Sequence, residues 1–246
     1  MQFNLTTSRN SVLSVESVDA TVYDHFREPN NYTDILLNQL TELPYGFING
    51  ENLVGIDVGA NVGLFSLHIQ DRCRKLLSLE PTPSHFAVLS SLVKEYRNIY
   101  PIRLALSDHD GEVEFHTYGP NSTMNSTKTL FTKDEPTTKT FKVPCRTISS
   151  LIRTYNLDKV DFVKVDIEGA ELSVLTDEQI RSVKNIVRGW YVECHQTDLI
   201  YARPGDDMNK IRNAHLHENR TKLGYRLRQL GYTVENIRHD AVWAFK

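Results

Sequence analysis

Apolar runs in this sequence tend to break off beside an acid or an imidazole. Asp57 stands near the end of Leu53-Val54-Gly55-Ile56, Glu80 directly follows Leu76-Leu77-Ser78-Leu79, and Asp166 follows Phe162-Val163-Lys164-Val165 with Glu168 and Glu171 close behind. A further run, Ile186 to Val192, ends in Glu193-Cys194-His195. A carboxylate in the place of Asp57 can meet a cationic amine through a charge-assisted hydrogen bond. An acid about 20 residues beyond a glycine turn, the place of Glu80, reaches the ribose hydroxyls of a nucleotide-like ligand. Asp166 and Glu168 with Glu193 and His195 make a carboxylate–imidazole set, able to take a proton from a hydroxyl or to hold a divalent ion. A single histidine is more often structural than catalytic, and for His195 both readings stay open. Glu171 reads as an ordinary acid in the first turn of a helix, where the dipole favours it. Asp166 and Glu168 do not, because neighbouring acids at a strand mouth repel one another unless something uses them.

Strands and turns must hold these groups in place. Leu53 to Val58 is apolar enough for a strand buried in a parallel sheet. Gly59-Ala60-Asn61-Val62-Gly63 follows as a glycine-bracketed turn before Leu64, Leu67 and Ile69 resume at helical spacing. Such a strand–turn–helix unit brings backbone close to a bound ligand, with glycine where the chain turns tightly or where a Cβ would strike that ligand. The spacing is not the Gly-x-Gly-x-x-Gly of a dinucleotide fingerprint, which weighs against a nicotinamide-dependent oxidoreductase on a related fold.

Pro83 to Arg97 is predicted as a crossover helix opened by Thr82-Pro83, and Ile99 to Leu106 as a third strand. In the turn Ser107-Asp108-His109-Asp110-Gly111, Asp108 either accepts from the amino group of an adenine or is plain turn chemistry. Glu112 to His116 and Thr140 to Pro144 alternate as strands do. Between them, residues 118–138 are rich in Ser, Thr and Asn and read as a lid or as a solvated hairpin extension. Thr147 to Tyr155 reads as a helix with Ile148, Leu151 and Ile152 inward. Asp206 to Leu230 is a polar helix whose Arg220, Lys222, Arg226 and Arg228 form a solvated face, and whose His215 and His217, two apart, make a poor metal pair. Gly231 to Val234 and Ala241 to Phe245 close the sheet as an antiparallel hairpin.

Residues 1–50 precede the sheet, with two short helices expected around Val22 to Phe26 and Ile35 to Leu40. The 246 residues suit one α/β domain with this extension, and 40% apolar and 24% charged residues are ordinary for a soluble globular chain. A net charge of −3 gives no general attraction to nucleic acid or to an anionic membrane. No apolar run approaches the roughly 18 residues of a membrane span, and the amino terminus lacks the basic-then-apolar layout of a secretion signal. Cys73, Cys145 and Cys194 form no Cys-x-x-Cys pair and read as reduced thiols. A cytoplasmic protein is expected.

Four stretches in order carry a family resemblance: Ile56-Asp57-Val58-Gly59-Ala60-Asn61-Val62-Gly63, Glu80-Pro81-Thr82-Pro83, Ala105-Leu106-Ser107-Asp108 with Gly111, and Lys164-Val165-Asp166-Ile167-Glu168-Gly169-Ala170-Glu171. Together they resemble the FkbM family of S-adenosylmethionine-dependent methyltransferases, from roughly residue 52 to the early 190s. The resemblance implies a class I methyltransferase fold: an α/β, Rossmann-like three-layer sandwich whose seven-stranded, mostly parallel sheet runs in the order 3-2-1-4-5-7-6 with an antiparallel C-terminal hairpin. The expected helical extension, 1–50, lies outside the resemblance, whereas the expected methyltransferase domain, 51–246 with a loop insertion at 116–140, is built around it. The resemblance also implies S-adenosylmethionine as cofactor, with Asp57, Gly59 and Asn61 at its methionyl part and Glu80 at its ribose. Gly63, Pro81, Ser107, Asp108 and Asp166 complete the expected cofactor-binding set.

The activity implied is O-methylation, and the acceptor a small molecule or glycan bearing a hydroxyl group. His195 is then the first candidate base and Asp166 the next, with Glu168 and Glu193 orienting the acceptor. A divalent ion, if one is used, falls to Asp166, Glu168 and Glu193. A donor-binding protein without catalysis is the remaining alternative. Nucleic-acid methylation lacks both a basic stripe and an Asn-Pro-Pro-Tyr-type motif.

Overall fold

Strand β3, Leu53–Val58, is buried along its whole length, as a strand flanked on both sides in a parallel sheet must be. The computed structural model that places it describes residues 2–6, 12–16, 45–117, 127, 139–195 and 207–246. The chain forms two compact units, Met1–Arg103 and Leu104–Lys246.

In the first unit, β1 (Gln2–Thr6) and β2 (Val12–Glu16) form an antiparallel pair that sets Phe3 opposite Val15 and Leu5 opposite Leu13. The alternation Gln-Phe-Asn-Leu-Thr carries the period of a strand, in a stretch of the extension where no strand was expected. The helices expected around Val22 to Phe26 and Ile35 to Leu40 lie outside the described residues. After β3 come α1 (Leu64–Ile69), a 3₁₀ turn (Gln70–Arg72), β4 (Cys73–Leu79), α2 (Pro83–Val93) and β5 (Ile99–Ile102). Thr82 precedes α2 in extended conformation with Pro83 in the first turn, where a missing N–H costs nothing. The helix stops at Val93, short of Arg97. Tyr96 N–H bonds to the Val93 carbonyl, and Ile99 N–H to the Tyr96 carbonyl, which turns the chain into β5. β3 pairs in parallel with β4, and β4 with β5, so that Ile56 faces Leu77 and Leu77 faces Tyr100.

In the second unit, β6 (Ala105–Leu106), β7 (Gly111–Thr117) and β8 (Lys139–Arg146) make a separate three-stranded sheet in the order β6-β8-β7. Its small core is Ala105, Phe115, Val143 and Cys145, with Val113 and Phe141 against it. The single strand expected from Ile99 to Leu106 is therefore two strands of two different sheets. Pro101, which has no N–H to offer, holds β5 to the outermost position of its sheet. The chain then leaves that sheet and pairs Ala105 with Cys145. Residues 118–126 and 128–138, most of the expected lid, lie outside the described residues.

The unit continues with α3 (Ile148–Thr154), β9 (Phe162–Val165), α4 (Glu171–Val174), α5 (Asp177–Val183), β10 (Gly189–Glu193), α6 (Met208–Gln229), β11 (Thr233–Asn236) and β12 (Ala241–Phe245). Thr147 caps α3 by accepting the Ser150 N–H, and Ile148, Leu151 and Ile152 are buried, as their spacing predicts. The strand expected at Ile186 to Val192 starts at Gly189, where a Cβ would collide with the Trp243 ring. β9 and β10 are parallel, while β12 runs antiparallel to both β10 and β11. The seven-stranded order is β11-β12-β10-β9-β3-β4-β5. Counted by its own strands along the chain, that is the 3-2-1-4-5-7-6 expected above. Among the described residues no helix is long and apolar enough to cross a membrane.

Candidate functional site

Two strand ends gather the predicted side chains, one in each unit. The first is the turn after β3. Gly59, Asn61 and Gly63 all have left-handed backbone, with φ of 80°, 51° and 91°, which glycine and asparagine adopt at least cost. Gly63 must be glycine on a second ground, since a Cβ there would lie 2.5 Å from Leu89 Cδ1. The Gly59 and Ala60 N–H groups donate to the Leu79 carbonyl at 3.0 and 2.9 Å, tying the turn to the end of β4.

Glu80 completes that tie. Its Oε2 accepts the Asn61 N–H at 2.9 Å and its Oε1 the Thr82 N–H at 2.8 Å, with His85 Nδ1 at 3.9 Å. These bonds fix the Glu80 carboxylate in place. Pro81 beside it is buried. Asp57 is fully buried, and its Oδ2 accepts the Ser66 hydroxyl at 2.7 Å, with Ser78 Oγ a further 2.7 Å from Ser66 Oγ. The structure thus brings Asp57, Gly59, Asn61, Gly63 and Glu80 together around one turn. The buried Ser66–Ser78 network is an addition, foreshadowed only by polar residues inside apolar runs.

In the second unit, Ser107 is buried and its N–H donates to the Arg146 carbonyl at 2.9 Å. Asp108 is more than half exposed and lies 2.7 Å from His109 Nδ1, a bond that holds its carboxyl below the usual range. Asp110 is the acid with a fixed structural task. It accepts the Thr147 N–H at 2.8 Å and the Ser150 hydroxyl, fastening the turn to the start of α3.

The second gathering point follows β9. Asp166 emerges from the strand end beside Lys164, whose Nζ lies 3.0 Å from Asp166 Oδ2. Glu168 and Gly169 then take left-handed backbone, with φ of 52° and 98°, before Glu171 opens α4. From the end of β10, His195 enters the same space. Its Nδ1 is 2.8 Å from Glu171 Oε1, and its Nε2 is 3.7 Å from Asp166 Oδ1 and 3.6 Å from Glu168 Oε2. Asn219 on α6 donates to the His195 carbonyl at 2.8 Å.

Charges displace one another throughout this cluster. Burial would raise the Asp166 carboxyl, but Lys164 and His195 outweigh it and hold the group below the usual range. Burial pushes Glu168 up to about 8, against the pull of His195. Burial opposes charge on His195 as well, yet Glu168, Glu171 and Asp166 together keep its pKa well above the ordinary imidazole value. The surrounding acids thus favour the protonated ring. As a base it must first lose that proton.

Three expectations change here. Glu193 feels the charges of this set, with burial and then Asp166 raising its carboxyl against the pull of Lys164 and His195, but its bonds lie elsewhere. It accepts the Tyr191 hydroxyl at 3.1 Å and pairs with Arg238 at 3.3 Å, while Arg238 also grips Asp240. Of its proposed tasks, orienting the acceptor and binding a metal, neither is supported by that engagement. Among the described residues, the side chains whose ligand atoms lie within 4.8 Å of one another are Asp166, Glu168 and His195, so a divalent ion would find a histidine where Glu193 was expected. Glu171, read as a plain helix acid, is the direct partner of His195. Nor are Arg220 and Arg226 merely solvated. Arg220 donates to the Arg238 carbonyl at 2.8 Å, and Arg226 binds the Leu172 and Leu175 carbonyls and pairs with Asp177 at 2.7 Å.

The sequence matches the family model described as Methyltransferase FkbM domain over residues 57–227. It is similar to Methyltransferase sdnD of Sordaria araneosa, 31% identical over 166 residues that make up 54% of this chain and 64% of that protein. The chain therefore spans less than two thirds of that relative's length. Among solved structures it is similar to Aeropyrum pernix fibrillarin in complex with natively bound S-adenosyl-L-methionine, with 13% identity, TM-score 0.39 and coverage of 80% of this chain and 66% of that one. It is also similar to magnesium protoporphyrin IX methyltransferase from Synechocystis PCC 6803 with bound S-adenosylmethionine, with 12% identity, TM-score 0.42 and coverage of 94% and 86%.

Proposed function

The chain belongs to the FkbM methyltransferase family, and from that premise we propose that it transfers the methyl group of S-adenosylmethionine to a hydroxyl of a sugar-like or secondary-metabolite acceptor. The observation that carries the donor half is the clamp of Glu80 on the Asn61 and Thr82 N–H groups. It holds an acid at the end of β4 beside the glycine turn that follows β3, an arrangement that supports binding of an aminoacyl-nucleoside. When bound, S-adenosylmethionine supplies a methyl group on a sulfonium, already primed to leave.

The protein's own work is then alignment and proton removal. Asp57, Gly59, Asn61 and Gly63 hold the methionyl part, Glu80 and Pro81 the ribose, and Ser107 and Asp108 the adenine, with Asp166 on the acceptor side. Alignment of reacting atoms is worth about 7–11 kcal/mol in favourable cases. His195 takes the hydroxyl proton at Nε2 once its own proton has gone, and Asp166 and Glu168 steady the charge that results. Asp166, Glu168 and His195 would also be the groups to hold a divalent ion, which would supply Lewis acidity toward the acceptor hydroxyl. Prolonged dialysis against a chelator separates transfer with and without that ion, since only the metal form loses turnover and regains it with magnesium or manganese.

Calorimetric titration with S-adenosylhomocysteine tests the donor half directly. Saturable one-to-one binding that weakens in Glu80→Gln is expected. An absence of binding to the intact chain sinks the reading. For the acceptor half, a panel of hydroxylated glycosides and phenols is incubated with S-adenosylmethionine, and product formation is read by mass.

A further inference from the structure

We propose that Glu171 is a positioning residue for His195: it fixes the imidazole with N–H at Nδ1 and turns Nε2 toward the acceptor. The proposal rests on the reading of His195 as the proton acceptor. Its footing is the geometry of a carboxylate already locked before the histidine arrives. Glu171 is 2% exposed. Its Oε1 accepts the Gly169 N–H at 3.1 Å and the Ile167 N–H at 3.3 Å, so the backbone leading out of β9 wraps around the carboxylate and sets its place.

That fixed carboxylate then holds His195 at two points. Nδ1 lies 2.8 Å from Oε1, and the His195 main-chain N–H points at Oε2 from 3.5 Å. Asn219 pins the carbonyl of the same residue at 2.8 Å. With the main chain held on both sides and Nδ1 engaged, the ring has one orientation left. Nε2 stands 3.7 and 3.6 Å from Asp166 and Glu168, outside hydrogen-bond reach of either. Among the described residues it has no hydrogen-bond acceptor, and the side chain is 24% exposed. A base oriented by a third group, with its other nitrogen left for the substrate proton, is the general arrangement of proton-accepting imidazoles. The same orientation serves if Nε2 binds an ion instead, because such ligands are also steadied by a carboxylate on the other nitrogen.

A bland account competes: Glu171 could serve only to satisfy the loop N–H groups. Glu171→Gln distinguishes the two, because its amide oxygen still accepts from Gly169 and Ile167 while the charge that holds the Nδ1 proton is gone. Long-range ¹H–¹⁵N spectra of the intact protein, recorded where the ring is neutral, should show the proton on Nδ1 in the wild type and a redistribution toward Nε2 in the variant. On whichever acceptor of the panel yields product, kcat should fall about 10–100-fold, with acceptor KM and S-adenosylhomocysteine affinity unchanged. Glu171→Asp, which keeps the charge, should recover part of the loss. Wild-type ring nitrogens and kcat in a folded Glu171→Gln overturn the proposal. Should that variant fail to fold, Glu171→Asp decides by the same spectra: Nδ1 protonation retained upholds the assignment and its loss overturns it. If S-adenosylhomocysteine does not bind the wild type, the underlying function fails separately, and the spectra still report what Glu171 does to His195.

Discussion

The turns that follow β3 and β9 are assembled from the same parts and do opposite things with their acids. Each leaves a buried strand, passes through left-handed backbone and opens a helix. After β3, the carboxylates are answered by hydroxyls and backbone N–H groups: Asp57 by Ser66, and Glu80 by Asn61 and Thr82. After β9, they are answered mainly by other ionisable groups, so the ionisation of each depends on the rest. An acid bonded to fixed dipoles becomes part of a frame. Acids set against a histidine make a store of protons instead. The backbone repeats the contrast. Left-handed residues in the first turn are glycine and asparagine, which tolerate it, whereas the second places Glu168 there, at a cost of about 1–2 kcal/mol.

The sharpest way to break this comparison is to remove the histidine. His195→Gln should lower turnover by about 10²–10⁴-fold and leave S-adenosylhomocysteine affinity unchanged in calorimetry; equal turnover removes His195 from the role. The pH profile comes next. Only the neutral ring accepts a proton, and the folded protein holds its pKa well above the usual 6.5. Turnover should therefore climb by about tenfold per pH unit below that value and level off above it. Glu168, near 8, ionises within the same climb and delays the plateau. A flat profile between pH 6.5 and 9 contradicts a titrating cluster.

Glu80→Ala tests the frame. It orphans the Asn61 and Thr82 N–H groups, at about 1–3 kcal/mol for each one left without a partner. Both unfolding midpoint and donor affinity should drop together. Donor binding that survives a clear loss of stability separates the frame from the ligand. The smallest effect sharpens the contrast most. Glu168→Asn suits left-handed backbone, so it should raise stability by about 1 kcal/mol while turnover declines. A variant that loses stability instead shows that Glu168 is structural.

The first turn was legible because its demands are local. Glycine and asparagine at fixed offsets declare a left-handed path, and Thr82-Pro83 declares a helix start, before any tertiary contact exists. The second region was legible only as a set of strand ends. What separates Glu171 from Glu193 is which one meets His195, and that partner lies 24 residues from Glu171 in sequence. Arg238, which draws Glu193 away, lies 45 residues from it. No spacing rule reaches so far. Ile99 to Leu106 misled for a related reason: continuous apolarity records burial, and burial does not say in which sheet. The fit of Trp243 over Gly189 was equally out of reach, because a glycine inside an apolar run reads as weakness until the ring that needs the space is seen.

Pro101 has an effect on the molecule's company as well as on its own chain. The carbonyls of Asn98 and Ile102 face inward to Leu76 and Glu80, so the alternate residue 101 turns its backbone toward the open border of the sheet. A nitrogen without hydrogen stands where a foreign strand would look for its first donor. The border is barred by the absence of a single atom, and a bound neighbour growing the sheet by one more strand would have to begin with a missing rung.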